Sequence, residues 1–215
     1  MENKHHTDPS DRYYNLYKPW MISFIPDGQR KILDLGCGSG GLGRRLRELN
    51  KKVELIGVEL YAPAAEEAKK YYDKVYRGDV EEIVFEYKEY FDVIICGDII
   101  EHLRDPWSML EKIQSWMKPD GLLIATIPNI RYWQILRDLI IYGKLDYMEG
   151  GVLDITHLRF FTRHSFVKIL LDKKYHVIHN DMMISGIKKN ILNKLTLSLF
   201  EEYLGSQFMI VARKL

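Results

Sequence analysis

Short apolar runs alternate with stretches of helical period over the first 130 residues. Residues 31–35, 54–59, 74–77, 91–96 and 122–127 are short and rich in apolar side chains, and they predict buried strands. Between them, residues 42–50, 63–72 and 106–117 carry the spacing of amphipathic helices. Pro63 and Pro106 suit a first helical turn, where the missing amide hydrogen costs nothing. Alternation at this interval predicts an α/β fold, a doubly wound parallel sheet with helices on both faces. In such sheets, ligands sit outside the carboxyl ends of the strands.

The rhythm breaks after residue 127. Residues 128–163 are long and aromatic-rich, with Tyr132, Trp133, Tyr142, Tyr147, Phe160 and Phe161 set among Gly143, Gly150 and Gly151. A helix over 163–174 follows, with Thr162 as its N-cap. Two closing strands are predicted at 175–184 and 207–212. Between them, residues 187–204 place Ile187, Ile191, Leu195 and Leu199 on one stripe beside lysines. Such a helix covers a sheet, makes a dimer contact or touches a membrane surface. The expected organisation is one domain over 1–215: a helical cap at 1–29, a substrate or lid insertion at 130–165, and an amphipathic insertion at 186–205. Monomer and homodimer both remain open.

Composition narrows the setting. Lysine and arginine number 31 against 30 aspartates and glutamates, so no global charge favours a nucleic-acid partner. The two cysteines, Cys37 and Cys96, are too few for a disulfide framework and read as small reduced core residues, which suits the cytoplasm. No run approaches the ~20 apolar residues of a membrane span, and the first residues lack the apolar core of a secretion signal.

The candidate chemistry begins at the first strand. Gly36, Gly38 and Gly40 follow it and open a helix, as a backbone must when it turns sharply or approaches a ligand closely. The spacing Gly36-x-Gly38-x-x-Gly41 also satisfies a dinucleotide fingerprint, so the glycines alone leave an NAD-dependent oxidoreductase open. Asp34 argues against it, since its negative charge lies where a pyrophosphate would approach; a cationic ligand fits better. Glu59 ends the second strand, where a carboxylate accepts ribose hydroxyls. Asp79 follows the third strand and is placed to accept from an adenine amino group. Each acid taken singly is equally a cap or turn residue.

The run Ile32-Leu33-Asp34-Leu35-Gly36-Cys37-Gly38-Ser39-Gly40 resembles the first motif of class I S-adenosylmethionine (SAM)-dependent methyltransferases. Gly57–Leu60, Gly78–Val80, Phe91–Asp98 and Lys118–Leu123 match later motifs in order, so the resemblance covers roughly residues 30–130. It extends, less specifically, to a bacterial group related to quinone-pathway O-methyltransferases through residues 151–165. The resemblance implies a seven-stranded sheet of order 3-2-1-4-5-7-6, with the seventh strand antiparallel. It implies SAM as cofactor and S-adenosylhomocysteine as product. By the same carry-over, Asp34 and the backbone at Gly36, Cys37, Gly38 and Gly40 hold the methionine end, and Glu59 binds the ribose. Leu60 packs on adenine, Asp79 and Val80 address its edge, and Gly97 and Asp98 line the floor near the methyl group. A SAM-binding module without turnover is the other reading of the same motifs.

The acceptor is expected to be a small or carrier-linked molecule, methylated on oxygen: a sugar, a surface-polysaccharide precursor or a quinone-like metabolite. Two histidines suit a general base. His102 stands just past the fourth strand, and its alternative is a loop residue bonded to backbone. His157 lies among polar and aromatic residues with hinge-like glycines, and its alternative is a buried turn in which Asp154, Thr156 and Arg159 satisfy one another. Tyr132, Trp133, Tyr142 and Tyr147 read either as an acceptor wall or as core. Tyr13, Tyr14, Tyr17 and Trp20 would close over the cofactor. Nucleic-acid methylation is disfavoured also because Gly97-Asp98-Ile99-Ile100 stands where an Asn/Asp-Pro-Pro-Tyr/Phe motif would be required. Asp98, Glu101 and His102 are neighbours in sequence but define no ligand geometry, so no metal is expected.

Overall fold

A computed structural model describes residues 19–28 and 30–215. Seven strands form one sheet: β1 (Arg30–Leu35), β2 (Val53–Glu59), β3 (Lys74–Arg77), β4 (Phe91–Gly97), β5 (Met117–Pro128), β6 (Tyr175–Met183) and β7 (Gln207–Lys214). Their order is β3-β2-β1-β4-β5-β7-β6, and β7 runs antiparallel to both β5 and β6. Fold class and strand order are those expected.

Period-two alternation divides the buried strands between two cores. Ile32, Leu55, Val93 and Ile95 face one side, and Leu33, Leu35, Ile56, Ile94 and Cys96 the other. Helices α1 (Gly41–Glu48) and α2 (Ala62–Ala68) cover the first side, joined by the 3₁₀ turn Pro19–Phe24 through Met21 and Ile22. Helices α3 (Pro106–Trp116) and α5 (Arg163–Asp172) cover the second, through Met109, Leu110, Ile113, Phe166 and Leu170. Both faces of the central strands are therefore dry, which is why their sequences read as continuous apolar runs.

The helix ends obey local chemistry. Asp105 caps α3 by accepting from the Ser108 amide, with Pro106 in the first turn. Thr162 caps α5 in a reciprocal box with Ser165, as its position before the helix predicts. The helix expected over 63–72 ends at Ala68, and the chain turns so that Tyr72 enters the core. A Cβ on Gly43 would stand 2.4 Å from the Tyr72 ring, so that glycine makes room for it.

Two segments differ from expectation. Within 130–165 the chain forms a helix, α4 (Trp133–Tyr142), ended by Gly143 in the left-handed region. Of the four aromatic residues weighed as core or wall, only Tyr132 is buried, in a satellite cluster with Ile135, Val152 and Leu153. The amphipathic segment breaks into α6 (Ile187–Leu195) and α7 (Glu201–Leu204), with Leu197 and Ser198 at positive φ between them. No residue of α6 is buried, so its stripe does not cover the sheet. No helix among the described residues is long and apolar enough to cross a membrane. Tyr13, Tyr14 and Tyr17, with most of the expected cap, lie outside the described residues; Trp20 packs at the margin of the first core.

Candidate active site

The turn after β1 is built by conformation. Gly36, Gly38 and Gly40 have φ of 73°, 53° and 85°, the left-handed region that side chains avoid. Gly40 caps α1, and a Cβ there would lie 2.9 Å from the Ala68 backbone, so α2 packs directly against the turn. Across β2, the Glu59 carboxylate accepts from the Gly38 amide (2.9 Å) and from the Tyr61 amide (2.8 Å). Each oxygen keeps a second lone pair, the arrangement a pair of ribose hydroxyls requires. Leu60, next to it, is 66% exposed and offers an apolar platform. A sharp glycine turn, an aimed carboxylate and an exposed apolar shelf at the carboxyl ends of β1 and β2 fit an adenosyl group.

The remaining expected residues take varied positions. Asp34 is in the interior, its carboxyl 2.5 Å from the Tyr72 hydroxyl. Burial pushes its pKa up to about 7, against the lowering effect of the Tyr72 bond, and Glu59 adds to the rise. Its charge near neutral pH is therefore partial, which weakens the electrostatic case against a pyrophosphate made from sequence. Cys37 is buried beside it. Asp79 accepts from the Glu81 amide and pairs with Arg104. The side chain of Val80 is buried in the second core, so what it offers a ligand is backbone.

At the end of β4, Gly97 packs against Met21, and Asp98 adopts φ 54°. The Asp98 amide donates to Thr126, and Asp98 Oδ1 accepts from Gln207 Nε2 at 3.2 Å. Aspartate is among the few non-glycine residues that enter the left-handed region readily, which lets the chain turn at the end of β4. Gln207 carried no sequence signal, being the first residue of a closing strand. Beside it opens a cavity of about 210 Å³ lined by Met183, Ile184, Ser185, Ser206 and Gln207.

The histidines converge although the chain separates them widely. The 3₁₀ turn Ile100–His102 follows β4, and the Glu101 carbonyl accepts from the amides of Leu158 and Arg159, drawing the loop around His157 onto it. The two imidazole rings stand edge-to-face, 4.8 Å between centroids. His157 Nδ1 lies 3.0 Å from the Val152 carbonyl and Nε2 3.9 Å from Glu101 Oε1. His102 Nδ1 lies 3.2 Å from the Thr156 carbonyl. Burial and the His157 imidazole hold the His102 pKa below the usual histidine range. Asp154 accepts from the Thr156 amide and hydroxyl, whereas Arg159 turns away to the Arg104 carbonyl. The self-satisfied turn weighed for His157 is thus half formed. Ligand atoms of Glu101, His102 and His157 lie within 4.8 Å of one another, a set able to approach a cation. Sequence reading named both histidines as candidate bases but grouped Glu101 and His102 with Asp98, without bringing His157 to them.

Comparison with known proteins agrees with this fold. Residues 13–180 match a family described as a methyltransferase domain. A ubiquinone biosynthesis O-methyltransferase of Bradyrhizobium diazoefficiens is 29% identical over 155 residues, 68% of this chain and 58% of that protein. The (S)-coclaurine N-methyltransferase of Papaver somniferum is 36% identical over 108 residues, 47% of this chain and 30% of the relative. The chain thus spans less than two thirds of the length of these relatives. A SAM-dependent methyltransferase of Archaeoglobus fulgidus shares the fold at TM-score 0.64 and 18% identity, over 95% of this chain and 94% of that one. With the sheet order, the glycine turn and the family match in agreement, this chain belongs to the methyltransferase-domain family of class I SAM-dependent methyltransferases.

Proposed function

We propose that this chain is a methyltransferase that moves the methyl group of SAM to an oxygen of a small or carrier-linked acceptor. The observation that carries the reading is the convergence of His102, His157 and Glu101 just past the end of β4, where Asp98 acts on His102. A hydroxyl acceptor needs a base in reach, and an imidazole there supplies one. The O-methyltransferase relative supports oxygen; the N-methyltransferase relative keeps an amine acceptor as the second reading.

Bound SAM supplies an electrophilic methyl group on a sulfonium. The chain's part is placement. The turn Gly36–Gly40 and Glu59 hold the donor, Leu60 gives its adenine a surface, and Asp98, fixed by Thr126 and Gln207, sets the floor. Backbone at Val80 and the carboxylate of Asp79 frame the adenine edge. The segment 130–165 carries His157 and frames the acceptor, and the cavity beside Gln207 receives part of it. Two buried free thiols, Cys37 and Cys96, suit a reducing, cytoplasmic setting.

The test is methyl transfer from radiolabelled SAM to a panel of phenols, sugars, carboxylates and amines. Label on oxygen acceptors supports the reading. Label on amines alone selects the second, and saturable SAM binding with no transfer across the panel selects a non-catalytic module.

A further inference from the structure

We propose that α6 and the turn after it, residues 187–200, form a docking surface for a bilayer rich in anionic lipid, with the helix lying in the plane of the headgroups. Docking of this kind needs neither donor nor acceptor, so it lies beyond the proposed reaction and does not depend on it.

The domain holds α6 by the opposite side from an ordinary surface helix. Successive residues stand about 100° apart around a helix, so Ile187, Ile191, Leu192 and Leu195 share one sector, and Lys189, Asn193 and Thr196 lie across from it. A helix that covers its own domain turns the apolar sector inward. Here the polar side is the one that rests on protein. Lys189, Asn193 and Thr196 are half-buried, and the Lys189 ammonium donates to the Tyr132 hydroxyl at the start of α4. Ile187 and Leu195 are 80% and 78% exposed, and Ile191 and Leu192 are exposed with them. The turn adds Leu197, Leu199 and Phe200, also exposed, with Leu197 at φ 49°, a conformation that leucine adopts only at a cost. Together they make a contiguous apolar surface, where scattered single residues would need no explanation. The helix is already formed in the free chain. The Asn190 amide donates to the Ile184 and Gly186 carbonyls at its start, and the Thr196 hydroxyl donates to the Leu192 carbonyl at its end. Docking therefore spares the ordering cost that a disordered segment would incur.

Charge selects the occupant. Residues 186–200 hold Lys188, Lys189 and Lys194 and no acid. Lys188 lies within the apolar sector and Lys194 at its edge, both exposed, so their stems can lie along apolar surface while their ammonium groups reach lipid phosphates. The next acids, Glu201 and Glu202, are engaged by Arg163. At nine residues α6 is too short to cross a bilayer, and an amphipathic helix of this kind lies along it. A second copy is a poorer match, because a two-fold contact through this face would set Lys188 and Lys194 against the same lysines. The exposed apolar residues of α4, Leu139, Ile140 and Ile141, stand among Arg137, Asp138, Lys144 and Asp146, so they offer no such complementarity.

Co-sedimentation of the full chain with vesicles tests this with no SAM or acceptor present. Phosphatidylcholine vesicles containing about one third phosphatidylglycerol should carry the chain down, pure phosphatidylcholine vesicles about tenfold less or worse, and added salt should weaken the binding. Ile191→Ser combined with Leu195→Ser should lower vesicle affinity about tenfold or more. Lys188→Gln and Lys194→Gln should each lower it about fivefold. All four side chains are exposed, so thermal unfolding and S-adenosylhomocysteine affinity should match the parent in every variant. No binding to the anionic vesicles, equal binding to both kinds, or variants that bind as the parent does would overturn the proposal. So would a parent chain that light scattering finds dimeric and that Leu195→Glu makes monomeric, which would assign the face to a second copy. Methyl transfer to soluble acceptors is read separately, so the proposed reaction and the docking surface can fail independently.

Discussion

The Gly38 amide donates to Glu59 Oε2 across 2.9 Å, so the carboxylate that closes β2 also holds the turn that closes β1. One side chain thereby couples both halves of the proposed donor site. Glu59→Gln keeps the shape but removes the charge that strengthens bonds to the turn and to a ribose. The loss of charge-assisted hydrogen bonds, about 1.5–3 kcal/mol, is expected to weaken S-adenosylhomocysteine binding roughly 10- to 100-fold. Calorimetric titration of parent and variant measures it.

Asp34 imposes a pH dependence on stability. Its folded pKa of about 7 lies above the ordinary value of 3.8, so between these limits the folded chain binds more protons than the unfolded one. Stability contributed by this group therefore falls as pH rises from about 4 to 7 and changes no further above that. Asp34→Asn removes the titration. Denaturant curves should show the variant gaining on the parent across that window, by an amount on the order of 1–4 kcal/mol. A constant difference at all pH values would show that Asp34 is not held in its protonated form.

Gly40 is the point where α2 meets the turn. Gly40→Ala adds a Cβ in left-handed backbone, 2.9 Å from the Ala68 Cα. The conformational cost alone is about 1–2 kcal/mol, and the backbone contact adds to it. Lowered thermal stability together with weakened SAM binding is expected, whereas Gly78→Ala, with nothing within 4 Å of the added atom, should leave stability within about 0.5 kcal/mol.

Asp98 separates function from stability. Asparagine tolerates the left-handed region and accepts the Gln207 bond, so Asp98→Asn should stay within about 0.5 kcal/mol of the parent in unfolding. Its SAM affinity or turnover should nevertheless fall at least tenfold. Equal loss in both measurements would make Asp98 a structural residue.

The sheet was legible because each central strand is dry on both faces and helices packed on it carry end signals, such as Thr162 and Pro106. The glycine turn and Glu59 were legible because local spacing and strand ends place them. Contacts between distant segments left no such mark. Nothing near Tyr72 in sequence announces a bond to Asp34, and nothing near His157 announces Glu101. Helix α4 keeps apolar residues at helical spacing, Ile135, Leu136, Leu139 and Ile140, but only Ile135 is buried, so its stripe covers little core. The stripe of α6 was plain, yet it finds no sheet to cover.

The central claim is that the turn at Gly36–Gly40 with Glu59 is a SAM site and not a dinucleotide site. Isothermal titration of the chain with S-adenosylhomocysteine and with NAD tests it most directly. One-to-one binding of S-adenosylhomocysteine, weakened at least tenfold by Glu59→Gln and absent for NAD, is the expected result. Saturable NAD binding without S-adenosylhomocysteine binding would contradict it.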